Sequence, residues 1–192
     1  DISIMGAVNP SEKTYFETSV FSHAKNRFLW LLILMLSSTI TGTIITQYEN
    51  AFAAIPLLVS FIPMLMDTGG NCGSQSSTLI IRGLALDEIR FKDIFRVIFK
   101  EFRVALLVSL GLALANGLRI FIMYKDLKLA VVIGLSLICT VILSKIIGCI
   151  LPLFAKKINL DPAIMAAPLI TTLVDTCSII IYFTIATHIF QL

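Results

Sequence analysis

Apolar residues along this chain come in long blocks parted by short polar stretches. A block that crosses about 30 Å of hydrocarbon needs about 20 residues. Five qualify, at 27–47, 51–81, 102–124, 129–154 and 161–190. The fold this predicts is an all-α integral membrane protein with five transmembrane helices per subunit. Residues 1–26 read as a cytoplasmic connecting segment and 27–192 as the transmembrane domain. The stretch LDEIRFKDIFRVIFKEFR at 86–103 predicts an amphipathic cytoplasmic helix leading into the third span, its charges forming a solvated face. The second block is punctuated. Pro56 and Pro63 precede Asp67, and Gly69, Gly70 and Gly73 follow it, so the pattern predicts a helix opened near the acid, with freed carbonyls available to a cation.

Composition agrees. Of 192 residues, 57% are hydrophobic and 14% charged, with a mean hydropathy of +0.94, whereas soluble domains are about 45–50% apolar and about 25% charged. The net charge of +3 and the lack of a basic run interleaved with aromatics exclude a nucleic-acid binder. Cys72, Cys139, Cys149 and Cys177 form no CxxC pair and fall in apolar stretches, as buried small side chains would. His23 and His188 sit near opposite ends and suggest no metal cluster. The chain begins without an initiator Met and without a cleavable signal, which reads as a piece of a longer protein.

Basic residues orient the spans. Lys13, Lys25, Arg27, Arg82, Arg90, Lys92, Arg96, Lys100, Arg103, Lys156 and Lys157 fall on one side, and only Arg119, Lys125 and Lys128 on the other. The N-terminus is therefore expected in the cytoplasm and the C-terminus outside, in the multi-pass manner of a cell (inner) membrane protein. Lys145 is left inside the fourth block, where a structural role is expected, snorkelling or pairing with a carboxylate.

Acids inside the membrane cost about 2.5–3.5 kcal/mol on insertion scales and need a reason. Asp67 and Asp175 both fall near the middle of their blocks. Helical spacing puts Asn71, Ser74, Gln75 and Thr78 on the face of Asp67, and Thr171, Thr172, Ser178 and Tyr182 on the face of Asp175. Fourteen residues at about 100° each put Asp161 on roughly the same face as Asp175, about 21 Å away along the axis, one acid at the cytoplasmic mouth and one in the middle of a path. Pro162 and Pro168 suit a helix start and a locally opened backbone. Gly69 and Gly73 have the GxxxG spacing of a close helix contact.

Three functions compete for these acids. The Asp-Thr-Gly of LMDTGGNCGSQS and the Asp-Thr of LVDTCS suggest an aspartic protease dyad, but they lie in membrane helices and lack the GxGD-type motif of membrane proteases, so the chain is not expected to be an enzyme. A Na⁺- or H⁺-coupled divalent-cation carrier could use the same polar stripes, although no twin halves are evident. A divalent-cation channel fits best. Mg²⁺ keeps most of its waters and meets few carboxylates, so one mid-membrane acid per subunit, doubled by a two-fold axis, would serve it, with the membrane potential as drive.

At this point PMLMDTGGNCGSQSSTLIIRGLA (63–85) and LPLFAKKINLDPAIMAAPLITTLVDTCSIIIYF (151–183) resemble the MgtE magnesium channel family, across about residues 15–190. The resemblance implies a homodimer in the lipid bilayer with a pore on the dimer axis, and Mg²⁺ as the transported ion. It implies Asp175 as the pore aspartate, Asp161 at the cytoplasmic start of the fifth span, and Thr171 one turn before Asp175. Asp67 joins them as a candidate ligand, and Gly69, Gly70, Asn71, Gly73, Gln75, Pro168 and Thr172 as pore-lining or structural positions. It also implies cytoplasmic Mg²⁺-sensing domains ahead of the first span in the full-length protein. Without them, flux is expected to persist at high internal Mg²⁺.

Overall fold

The computed structural model describes residues 2–6, 8, 14–165 and 167–191. Among these there is no strand. Five long helices dominate: α1 (Val20–Gln47), α2 (Ile62–Ala85), α3 (Ile94–Tyr124), α4 (Leu127–Lys157) and α5 (Ala167–Phe190). Local sequence explains their ends. The Ser19 hydroxyl accepts the Ser22 amide at 3.2 Å and caps α1. Lys125, with φ at 54°, turns the chain out of α3, and the Asp126 carboxylate accepts the Leu129 amide at 3.0 Å to start α4. Two residues thus suffice to make α3 and α4 an antiparallel hairpin. Asn159 closes α4 in the same left-handed conformation, with φ at 59°.

Packing is centred on α4, which lies against α2, α3 and α5, while α2 also lies along α5. Helix α1 sits at the edge beside α5, joined to it by a hydrogen bond of 2.7 Å between the hydroxyls of Thr41 and Thr176. The core has two apolar ends and a waist of small residues. One end gathers Leu58, Phe61, Leu65, Leu129, Ile133, Tyr182 and Phe183. The other gathers Ile80, Leu84, Cys149 and Leu153. At the waist an alanine Cβ at 148 would overlap the carbonyl oxygen of Gly73, so α2 and α4 cross backbone to backbone. Lipid is as apolar as leucine, so such close van der Waals contact does what hydrophobic burial does in water.

Among the described residues, four helical stretches are long and apolar enough to span a membrane: Val20–Gln47, Phe91–Tyr124, Leu127–Lys157 and Pro162–Phe190. Together with the relatives described below they make this a multi-pass membrane protein. Helix α2 has the length but is the least apolar of the five, because polar residues run along one side of it. Three expectations change in detail. The amphipathic stretch at 86–103 is no separate helix: a 3-10 turn (Phe91–Asp93) opens directly into α3. The second block bends before its acid, at Ile55 and the 3-10 turn Pro56–Phe61, and α2 then runs unbroken through Gly69, Gly70 and Gly73. Pro63 lies in the first turn of α2, where its missing N–H costs nothing. No carbonyl is freed near Asp67 by a helix break.

Tyr182 fixes this bend. It is fully buried, and its hydroxyl donates to the Leu58 carbonyl at 2.8 Å. Tyr182→Phe is expected to cost about 1 kcal/mol, with up to about 3 if the carbonyl finds no new partner. Thermal unfolding in detergent reads this directly, and an unchanged melting temperature would remove the bond from the account.

Candidate cation site

The segment GGNCGSQSST (69–78) has two sides when wound into α2. Gly69, Gly70, Gly73, Ser76 and Ser77 are buried, whereas Asp67, Asn71, Gln75 and Thr78 are exposed. The predicted common face of Asp67, Asn71, Gln75 and Thr78 is thus what the protomer presents outward. Ser74, expected in the same row, is half-buried, and its Oγ has no hydrogen-bond partner among the described residues.

The inward glycines set the approach of α5. A Cβ at Gly69 would stand 2.7 Å from Thr140 Cγ2 and 2.8 Å from Val174 Cγ1. One at Gly70 would stand 2.9 Å from Thr171 Cγ2, and one at Gly73 2.7 Å from Ile170 Cγ2. Rising numbers on α2 meet falling numbers on α5, so the two helices are antiparallel. The Ser77 hydroxyl extends the seam by donating to the Met165 carbonyl at 2.8 Å.

This approach brings Asp67 and Asn71 beside Thr171 and Asp175. With Gly70 and Met66 they line a cleft of about 420 Å³. A groove of about 630 Å³ carries on along α2 past Asn71, Gln75 and Thr78. The donors are two carboxylates, a carboxamide and a hydroxyl, which is the oxygen chemistry a hard cation takes. Six waters occupy about 180 Å³ at about 30 Å³ each, so an ion with its first water shell fits the cleft. Among the described residues of the protomer, no group of three or more His, Cys, Asp or Glu is placed to hold a metal ion.

Asp161 stands apart. It is exposed, and its Oδ1 accepts the Ala163 amide at 2.9 Å, capping the 3-10 turn Pro162–Met165. The chain between Asp161 and Asp175 is therefore not one helix, and the shared-face argument for the pair does not hold. Asp161 instead borders a separate cleft of about 380 Å³ with Lys156, Ile81 and Met5. Pro168 lies in the first turn of α5, and its carbonyl accepts the hydroxyls of Thr171 at 3.0 Å and Thr172 at 2.9 Å.

The polar row expected with Asp175 also divides. Thr171 lines the cleft with Asp175. Ser178 is buried and donates to the Val174 carbonyl at 2.7 Å, and Tyr182 is held at Leu58, away from it. The cysteines are all free: Cys72 and Cys149 are buried and Cys177 half-buried, but Cys139 is exposed, contrary to expectation.

One buried cluster was foreseen only in part by the sequence reading. Ser76 Oγ donates to Glu101 Oε2 at 2.7 Å, Lys145 Nζ donates to Ser76 Oγ at 3.3 Å, and Lys145 Nζ lies 3.9 Å from Glu101 Oε2. The triad ties α2, α3 and α4 together just behind Gln75. Lys145 thus pairs with a carboxylate, as one structural expectation had it, but Glu101 was assigned to a solvated face. Its signal was available: Glu101 shares its helix side with Ile94, Val97, Ile98 and Ala105.

The comparisons with known proteins point one way. Residues 62–185 match the MgtE family, described as divalent cation transporters. The chain is 37% identical to the magnesium transporter MgtE of Bacillus subtilis over 172 residues, covering 90% of this chain and 38% of that protein. It is 36% identical to the magnesium transporter MgtE of Thermus thermophilus over 186 residues, covering 97% of this chain and 41% of that protein. The chain spans about two fifths of the length of these relatives.

Proposed function

This chain belongs to the MgtE family of divalent cation transporters, and from that premise we propose that it carries Mg²⁺ across the cell membrane as one half of a homodimeric channel. The observation that carries the reading is the cleft where α2 and α5 bring Asp67, Asn71, Thr171 and Asp175 together on the outer side of the protomer. Lipid tails offer no partner to two carboxylates and a row of amides. A second copy related by a two-fold axis would cover the row and turn two open grooves into one lined path.

In this arrangement Asp175, nine residues into α5, holds the hydrated ion at mid-depth through its water shell. Thr171 and Asn71 accept or donate to the same waters. Asp67 adds charge beside it, in the second turn of α2. Asp161 marks the cytoplasmic mouth. With α2 completed as a fifth span by its partner, the two termini lie on opposite sides, and the excess of Lys and Arg on the N-terminal side supports a cytoplasmic N-terminus. The relatives' names supply Mg²⁺ as the cargo. Their greater length leaves room for cytoplasmic regulatory domains in the whole protein.

A channel and a coupled carrier differ in their drive. Mg²⁺ uptake into proteoliposomes is expected to rise with an imposed inside-negative potential, worth about 2.3 kcal/mol per charge per 100 mV. It is expected to persist with Na⁺ absent and the pH gradient collapsed. Uptake that stops when either counter-ion gradient is removed makes the protein a coupled carrier instead.

A further inference from the structure

The chain from 91 to 103 is divided lengthwise into three sectors. Ile94, Val97, Ile98, Glu101 and Ala105 face the protein. At about 100° per residue, Phe95, Phe99 and Phe102 fall within about 60° of one another on a second side. Arg96, Lys100 and Arg103 fall on a third, about 100° round from the phenylalanines and turned away from the core. Phe95 is 83% exposed and Phe99 64% exposed. Lys92, Arg96, Lys100 and Arg103 are all exposed, and none has an acidic partner among the described residues.

The acids nearby are already engaged or lie off the strip. Glu101 is buried with Lys145 and Ser76. Asp93 Oδ2 accepts the Arg90 amide at 3.0 Å. Asp87 and Glu88 lie in the loop before it. The strip is also anchored. Phe91 packs edge-on against Phe154 with centroids 5.7 Å apart, and Lys157 Nζ stands 4.4 Å above the Phe91 ring, which brings the basic end of α4 to its start. The Arg103 guanidinium lies 5.9 Å from the Phe99 centroid, bridging the aromatic and basic sectors.

We propose that this strip is a docking surface for anionic phospholipid, with Phe95, Phe99 and Phe102 among the upper acyl chains and Lys92, Arg96, Lys100 and Arg103 holding headgroup phosphates. The argument is charge complementarity combined with depth. Four uncompensated cations beside an apolar sector match a leaflet that places phosphate directly above hydrocarbon. A soluble anion would satisfy the cations and leave the phenylalanines in water. Because Glu101 lies on the inward side of the same helical turns, a lipid held on their outer side bears on the helix that anchors α2 through Ser76. The inference concerns lipid alone and stands whichever ion crosses.

Thermal unfolding in detergent micelles doped with phosphatidylglycerol or phosphatidylcholine tests it. The wild type is expected to be stabilised at a lower mole fraction of phosphatidylglycerol than of phosphatidylcholine. The quadruple variant K92Q/R96Q/K100Q/R103Q is expected to need at least fivefold more phosphatidylglycerol for half the effect. Raising salt should weaken the wild-type response to phosphatidylglycerol and leave that to phosphatidylcholine unchanged. That salt titration decides the matter alone if the variant does not fold. Equal responses to the two lipids, a variant that responds like wild type, or a shift reproduced by inorganic phosphate would each overturn the proposal, the last by making this a small-anion site.

Discussion

Asp175→Ala is expected to reduce Mg²⁺ flux through proteoliposomes by at least tenfold while leaving the protein folded and its assembly unchanged. Asp175 lines the cleft beside Thr171 and Asp67. Two unit charges 4 Å apart attract by about 4 kcal/mol at an effective dielectric of about 20, and a dication doubles this. The ion's own waters hold it further off, so only a part is realised. Even about 2 kcal/mol exceeds the 1.4 kcal/mol that equals tenfold. Asp175→Asn, which keeps the volume and removes the charge, should lose as much. Asp67→Ala should lose less, since Asp67 is exposed while Asp175 is half-buried in the angle between α2 and α5. Wild-type flux from Asp175→Ala would sink the central claim and move the ion site to Asp67 and Asn71.

Lys145→Met is expected to be the most destabilising substitution away from the cleft, by about 3–5 kcal/mol. Lys145 is 4% exposed, and Glu101 8%. Taking away the ammonium strands the carboxylate with one hydroxyl partner, Ser76, in a region where water cannot compensate. Removing both charges together is a different matter, because an apolar pair of similar size often replaces a buried ion pair at little cost. Lys145→Met/Glu101→Leu should therefore recover much of the loss. Unfolding measured by titration with a denaturing detergent separates the cases. A single variant within about 1 kcal/mol of wild type would show that the three side chains do not act as a unit.

The long helices were legible because apolar runs long enough to span hydrocarbon leave little alternative. Their junctions were less so. The pattern at 51–81 shows prolines and glycines but not which of them bend the chain. Pro56 does, at 55–61, while Pro63 fits the first turn of α2 and the glycines take close contacts inside an unbroken α2. Counting turns from Asp161 to Asp175 assumed one helix, and the 3-10 turn at Pro162–Met165 breaks the phase. Spacing found the outward row of α2 because the inward side opposite it, from Gly69 to Ser77, is all small residues. It overreached on α5, where Ser178 and Tyr182 find partners inside the fold. Glu101 was misplaced because the charges around it outweighed its apolar neighbours at helical spacing.

The two-sided character of α2 has a consequence for how the chain is made. Helix α2 leaves the ribosome before α4 and α5, the two helices that accept its glycine side, and α5 begins more than 80 residues after α2 ends. Through that interval the middle of α2 suits lipid poorly on either side: one is amide and carboxylate, the other glycine backbone and serine hydroxyls with nothing packed on them. Most of α1 after Arg27 and of α3 after Arg103 is apolar on nearly every side and suits lipid as it emerges. Helix α2 is therefore expected to settle in the bilayer only once the hairpin of α3 and α4, and then α5, arrive. The order of insertion is then expected to differ from the order of synthesis, and the residues of the cleft between α2 and α5 to be among the last to reach their final depth.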